Sequence, residues 1–348
     1  MSATRPRLAP TVLKSDPPPK PAAAKPVEVK LAHALPAAEA RPLARFTKLA
    51  VRIVPLVLLV AAVFVLRREF RGLSWTAVVQ AADGWGHAAI AGALVLSVLS
   101  FLLMGAVEWL GLRWAGKTLP WHIAIWGSFL AGAIGHAIGA NLLVAGAVRA
   151  RLYDRYGVDL TQVAAATLFN GMSFAVGLGA LGGSGLLLAS QAELVATAIP
   201  VTLARGAGAL LLTLSFGWIL VCHIRHEKPL RAFGRSLTLP TAKYAVLQLI
   251  LGVVDNGIAA GIVWILLPHG TSSYASFVGA YAVACVVGLL STVPGGAGVF
   301  EGAISTLLPG AAAAPLAAAF LGYRLFYYLL PLVIASLALF ADTVLRRR

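Results

Sequence analysis

Three charged residues, Asp255, Glu301 and Arg324, stand in stretches otherwise built from apolar and small residues. Arg324 lies nine residues beyond Pro315 in the last apolar run, about 14 Å along a helix and so near the middle of a hydrocarbon core about 30 Å thick. Asp255, with Asn256 beside it, is central in the run 241–267, and Glu301 directly follows a glycine-rich break. At the centre of a spanning helix each charge costs roughly 2.5–3.5 kcal/mol, so three unpaired ones would cancel most of a stability of about 5–15 kcal/mol. They must therefore be paired, hydrated or neutralised. Two readings follow. In one, Arg324 forms a buried ion pair with Glu301 or Asp255 that holds one segment against the next. In the other, the charges line a hydrated cavity in which Arg324 meets an anionic headgroup phosphate and the carboxylates meet a cation, a proton or an amine. Arginine suits phosphate because its planar fork offers two N–H donors at once.

Other polar residues extend the set. His136 and Asn141 fall in the middle of the run 121–148, where packing and cavity-lining roles are equally open. Asn170 is in mid-segment and is expected to hydrogen-bond between helices. Glu108, beside Trp109, is read as an interfacial, solvated group, and Arg205 as an arginine snorkelling from a helix end. Cys222, His223, His226 and Glu227 are ligand-type residues, but they straddle a helix end in a basic loop, and no metal or cofactor site is expected there or elsewhere. The chain has no P-loop, no His-Glu-x-x-His pair and no Gly-x-Ser-x-Gly elbow. Asp255 and Glu301 could form an acid/base couple only if the fold brought them together, which spacing alone does not establish.

The elements that must position these groups are membrane helices. Of 348 residues, 59 % are hydrophobic and 12 % charged, a balance foreign to soluble domains. The net charge of +15 comes from Lys and Arg in an N-terminal tail and between apolar runs, a topology signal with affinity for anionic lipid rather than a nucleic-acid patch. Residues 1–48, rich in Pro, Ala and Lys, read as a disordered basic tail with no cleavable signal. Eight hydrophobic segments follow, at 49–66, 86–112, 121–148, 161–189, 199–222, 241–267, 273–308 and 315–341. The seventh is broken by Pro294, Gly295, Gly296 and Gly298, a hairpin break that lipid does not tolerate unless protein or water satisfies the freed backbone.

Charge decides how the segments cross. Eight simple crossings with both termini cytoplasmic would put eleven Lys and Arg outside, namely Arg67, Arg68, Arg71, Arg149, Arg151, Arg155, Arg225, Lys228, Arg231, Arg235 and Lys243. If 121–148 instead dips in and returns from the cytoplasmic side, and 273–308 does so from outside, only the three at 67, 68 and 71 remain misplaced. The expected fold is therefore all-α and polytopic, with six full spans, two re-entrant helical hairpins and the inverted-repeat logic of transporters, whose sites lie near the midplane. Gly-xxx-Gly spacings at Gly135/Gly139, Gly179/Gly183 and Gly298/Gly302 are read mainly as internal packing, with a homodimer face as the other use. Cys222 and Cys285 are read as small apolar packers.

Four stretches in order carry a resemblance: Gly146-Ala-Val-Arg149-Ala-Arg151-Leu-Tyr153-Asp-Arg-Tyr-Gly157; Phe174, Gly177 and Leu181-Gly-Gly183; Pro294-Gly-Gly-Ala-Gly298-Val-Phe-Glu301; and Tyr323-Arg324-Leu-Phe-Tyr327-Tyr328-Leu-Leu-Pro331. Together they resemble the transmembrane, flippase-like region of lysyl-phosphatidylglycerol synthases over roughly residues 50–345. The resemblance implies a bacterial inner-membrane protein, with both termini cytoplasmic, that moves a phospholipid such as aminoacylated phosphatidylglycerol between leaflets. It also adds Arg149 and Tyr327 to the candidate cavity residues. Because the sequence stops at Arg346-Arg-Arg348, directly after the last run, lysyl transfer by this chain is not expected. The partner implied is membrane phospholipid, together with a separately encoded lipid-modifying synthase. The runner-up function is a non-transporting partner of a lipid-, hopanoid- or glycan-modifying enzyme, and the third an intramembrane lipid-modifying enzyme.

Overall fold

The computed structural model describes residues 75–345 apart from 139–140, 198, 226–229, 233–234, 292–295, 297 and 309–310. The tail at 1–48, the first segment at 49–66, Arg67, Arg68, Arg71, Gly139, Pro294 and Gly295 lie outside the described residues, as does the side chain of Asn141.

The apolar runs fold as helices: α1 Trp75–Asp83, α2 His87–Trp114, α3 Trp121–Ile138, α4 Asn141–Tyr153, α5 Leu160–Leu188, α6 Gln191–Ala196, α7 Val201–Arg225, α8 Ala242–Leu266, α9 Tyr274–Leu290, α10 Val299–Leu307, α11 Ala313–Tyr323 and α12 Leu330–Leu345. A six-residue π-helical segment, Arg324–Leu329, joins the last two. One small antiparallel ribbon, β1 Leu230–Ala232 with β2 Arg235–Leu237, interrupts the all-α plan in the loop after α7. Among the described residues, five helices are long and apolar enough to cross a membrane: α2, α5, α7, α8 and the continuous stretch Ala313–Leu339. Their outward faces carry Val95, Val98, Leu210, Leu214 and Leu220, each more than half exposed, as lipid-facing surface requires. The protein is a polytopic membrane protein.

The segment at 121–148 forms a hairpin. Helix α3 runs back along α2, with Gly105 against Ile125, Gly132 against Met104, and the His136 ring 6.4 Å from that of Phe101. Helix α4 then returns: the Tyr153 hydroxyl donates to the Ala124 carbonyl (3.4 Å), and Lys117 Nζ donates to the Gly157 carbonyl (2.8 Å). The loops before α3 and after α4 thus share one end of the bundle. His136, near the end of α3, lies beside Phe101, halfway along the 28 residues of α2.

The second hairpin mirrors the first from the opposite end. Helix α9 starts beside the end of α5, where a Cβ on Gly185 would lie 2.6 Å from Gly279 N, and runs back with Gly182 against Ala282. The chain turns with Gly296 at φ +63 and Gly298 at φ +78, left-handed values that glycine adopts without strain. Helix α10 then leads back toward the start of α11. Hence α2, the first hairpin and α5 form one span–hairpin–span unit, and α8, the second hairpin and α11–α12 form another. Gly92 against Ile265, Gly261 against Leu96, and Ser100 bonded to Asp255 set α2 and α8 antiparallel, so the two units run in opposite directions. This is the inverted arrangement expected from the charge count.

Small residues let the central helices touch. A Cβ on Gly252 of α8 would sit 2.1 Å from the Ser173 carbonyl of α5. On the other side of α5, Gly183 faces Gly208 and Gly179 faces Ser215, both on α7, so this Gly-xxx-Gly pair serves internal packing. Gly302, by contrast, has nothing near its missing Cβ. Arg113, Lys117, Arg151, Arg155, Arg225 and Lys243 all gather at the end where α2 finishes, whereas Arg205 lies toward the other end.

Candidate functional site

The π-helical segment gives the site its backbone. Such segments insert an extra residue into a turn and recur at functional positions. Its first residue, Arg324, is 6 % exposed, and both Nε and Nη2 donate to Glu301 Oε1 (2.9 and 2.5 Å). The other carboxylate oxygen accepts the Gly298 N–H (2.8 Å), so Glu301 also caps α10 at its third position. The Tyr328 ring stands 5.6 Å from the guanidinium carbon, a cation–π contact. Of the two partners open to Arg324, the structure selects Glu301, and the bond fastens the second hairpin to the last span.

One turn further on, Tyr327 is buried and its hydroxyl is 2.8 Å from Ser100 Oγ of α2. Ser100 Oγ in turn donates to Asp255 Oδ1 of α8 (2.5 Å). The Tyr327 ring stacks on His136 from the first hairpin, at 5.8 Å and 25°, and on Tyr323 at 5.3 Å. The buried His136 Nδ1 has no hydrogen-bond partner among the described residues. His136, Ser100, Asp255, Tyr327, Arg324 and Glu301 therefore form one mid-depth constellation, drawn from both hairpins and from α2, α8 and the π-helical segment. In this conformation it is closed around its own ion pair, with Arg324 buried rather than lining water.

Two expected members lie elsewhere. Asn256 donates to the carbonyls of Gly252 (2.8 Å) and Phe174 (3.3 Å), a bond that ties α8 to α5. Arg149 lies on the return arm of the first hairpin and donates through Nε to Glu108 Oε2 (2.7 Å). Asn170 Nδ2 donates to the same oxygen (2.5 Å), the interhelical bond expected of it. The reading of Glu108 as an interfacial, solvated group is corrected: its side chain is fully buried, because α4 folds Arg149 back over it. Arg205 is exposed and donates to the Leu187 carbonyl (3.0 Å), in keeping with a snorkelling position. Among the described residues no three His, Cys, Asp or Glu side chains gather as a metal site, and Cys222 and Cys285 are free thiols.

Sequence reasoning missed Ser100, Tyr323 and Tyr281, whose hydroxyl lies 3.4 Å from that of Tyr323. A serine within an apolar run carries no signal, whereas tyrosines spaced four apart on the last span, at 323 and 327, could have been seen as one polar face.

Fold and site together define a class: an α-helical membrane protein in which two opposed hairpins meet buried charges at mid-depth. The chain belongs to the family described as the lysylphosphatidylglycerol synthase TM region, whose sequence model matches residues 51–335. It is 32 % identical over 295 residues to "Uncharacterized protein slr0712" of Synechocystis sp. (strain ATCC 27184 / PCC 6803 / Kazusa), covering 84 % of this chain and 91 % of that protein. It is 24 % identical over 295 residues to "Inner membrane protein YbhN" of Escherichia coli (strain K12), covering 83 % and 91 % respectively.

Proposed function

We propose that the protein translocates a phospholipid between the leaflets of a bacterial inner membrane, acting as a flippase or scramblase without an ATPase of its own. The observation that carries this reading is the Arg324–Glu301 pair, which joins a hairpin tip to the last span at mid-depth. Apolar packing would fasten the two segments as well and without the cost of burying charge, so the presence of a charged pair there supports a use beyond fastening. Opening the second hairpin exchanges Glu301 for the phosphate of a headgroup, with Arg324 supplying two N–H donors in its place. Glu301, so released, and Asp255 then stand near any amine the headgroup bears. Closing restores the ion pair and expels the headgroup. The two opposed hairpins supply an access route from each leaflet, in the manner of inverted-repeat transporters. The gathering of Lys and Arg at one end supports a cytoplasmic placement of that end, and the printed name of the Escherichia coli relative supports the inner membrane. Family membership supports phospholipid, including aminoacylated phosphatidylglycerol, as the substrate class.

The test is leaflet exchange in vesicles of phosphatidylglycerol that contain purified protein and a trace of headgroup-labelled phosphatidylglycerol. Dithionite-accessible label should equilibrate faster than in protein-free vesicles, and Arg324→Ala should abolish the gain. Exchange at the protein-free rate would remove the reading in favour of a non-transporting partner of a lipid-modifying enzyme, and a chemically altered headgroup would favour an intramembrane enzyme.

A further inference from the structure

The second charge cluster carries a detail the first lacks. Glu108 is 0 % exposed, and both donors that reach it, Arg149 Nε and Asn170 Nδ2, bond the same oxygen, Oε2. The other oxygen, Oε1, is buried without a hydrogen-bond partner, and so is Asn170 Oδ1. The carboxylate and the amide are thus joined along one edge and leave an orphan acceptor each. One hydrogen would serve both: a proton on Oε1 donating to Oδ1 would complete, together with Asn170 Nδ2–H···Oε2, a cyclic acid–amide pair. The titratable and charged groups around it are Arg149 and Tyr153 of α4, while His136 of α3 is close enough to feel the Arg149 charge. The Tyr153 hydroxyl reaches the Ala124 carbonyl (3.4 Å) and also lies within hydrogen-bonding reach of the Glu108 carboxylate, so this neighbouring hydroxyl competes for the same acceptor.

We infer that Glu108 is a proton-binding site coupled to the first hairpin: when α4 withdraws Arg149, one proton enters from the basic end and is held between Glu108 Oε1 and Asn170 Oδ1. The balance is simple. The Arg149–Oε2 ion pair is lost, an O–H bond forms on Oε1, and the buried carboxylate is never left charged and alone. When Arg149 returns, the proton leaves by the same end. Arg149 and a proton therefore compete for one carboxylate, and the hairpin that carries Arg149 moves with proton uptake. Resting on the translocation reading, this makes the proton gradient an energy source for that movement; buried carboxylates in membrane proteins commonly serve such relays.

Two measurements on the full chain separate the parts. In Arg149→Met, infrared spectroscopy should show the carbonyl stretch of a protonated carboxylic acid, absent from the wild type at neutral pH, absent again from Arg149→Met/Glu108→Gln, and retained in Arg149→Met/Tyr153→Phe. In that Gln variant the amide can satisfy the orphan oxygen of Asn170, so folding is preserved. Absence of the band in Arg149→Met would overturn the site whatever the protein transports. In phosphatidylglycerol vesicles, a pH gradient should change the exchange rate of labelled phosphatidylglycerol about tenfold in the wild type and not at all in Arg149→Met/Glu108→Gln, which removes the buried pair as a whole. Exchange indifferent to the gradient would overturn the coupling while leaving translocation intact. The infrared band without any lipid exchange would retain the proton site and refute the translocation reading instead.

Discussion

Glu301 has two jobs, and they can be separated by substitution. Its side chain is 13 % exposed and that of Arg324 is 7 % exposed, so the pair belongs with buried ion pairs rather than surface ones. Removing one partner of such a pair costs about 3–5 kcal/mol, mostly because the other charge is left buried alone. Glu301→Leu also deletes the acceptor of the Gly298 N–H, worth about 1 kcal/mol as a helix cap, for a total of about 4–6 kcal/mol. Glu301→Gln keeps an oxygen for that N–H and should lose only the charge contribution, about 3–5 kcal/mol. Arg324→Met should lose a similar amount. The double variant Glu301→Leu/Arg324→Met removes both charges and should return to within about 1–2 kcal/mol of the wild type, since apolar replacement of a whole buried pair is often neutral. Denaturant unfolding in detergent micelles, followed by helical circular dichroism, measures the cycle. Additive losses, with a coupling below about 0.5 kcal/mol, would refute the idea that these residues hold each other in the membrane.

Three further outcomes are expected. Gly298→Ala should destabilise the second hairpin by about 1–2 kcal/mol because φ is +78 there, whereas Gly302→Ala, with open space at its Cβ, should be neutral or slightly stabilising; unfolding midpoints check both. Gly252→Ala should lower folded yield and destabilise by at least about 1–3 kcal/mol, since its Cβ would press on the Ser173 carbonyl oxygen at 2.1 Å; a yield and midpoint equal to those of Gly206→Ala, which meets nothing, would contradict the close α5–α8 contact. At the mouth of the second hairpin, burial alone would raise the Glu193 carboxyl, but hydrogen bonds from Ser276, Ser190 and the Ser273 and Ser190 N–H groups outweigh it and lower the pKa from 4.5 to about 2. A lowered carboxyl stabilises above its unfolded value and loses that contribution as pH falls through its folded one. Thermal stability of the wild type should therefore decline between about pH 4.5 and 2 more steeply than that of Glu193→Gln.

Much of the architecture was legible because lipid enforces simple rules. Lys and Arg at 149–155 and 225–243 favoured a chain that dips and returns over eight simple crossings, and the glycines at 296 and 298 marked where it turns. The positive φ of both glycines shows why glycine is favoured at these two positions. The Arg324–Glu301 pair was legible as one of two options, because an arginine at mid-depth must find a carboxylate. What decided against Asp255 was not legible. Its partner is Ser100, 155 residues away, and a serine hydroxyl in an apolar run looks like any small packer. Glu108 was misread for a related reason: its distance from the end of its segment suggested an interface, but Arg149, 41 residues later, is brought over it by the returning arm. The π-helical segment depends on how the last span is packed between the hairpins, and local sequence does not encode it.

The central claim is that the mid-depth constellation handles a lipid headgroup, and leaflet exchange in vesicles of phosphatidylglycerol tests it most directly. Wild-type protein should accelerate transfer of headgroup-labelled phosphatidylglycerol, while Arg324→Met/Glu301→Leu, folded because its charges are removed together, should exchange lipid no faster than empty vesicles. Wild-type exchange rates in that double variant would contradict the account, leaving the pair a fastening between hairpin and span and nothing more.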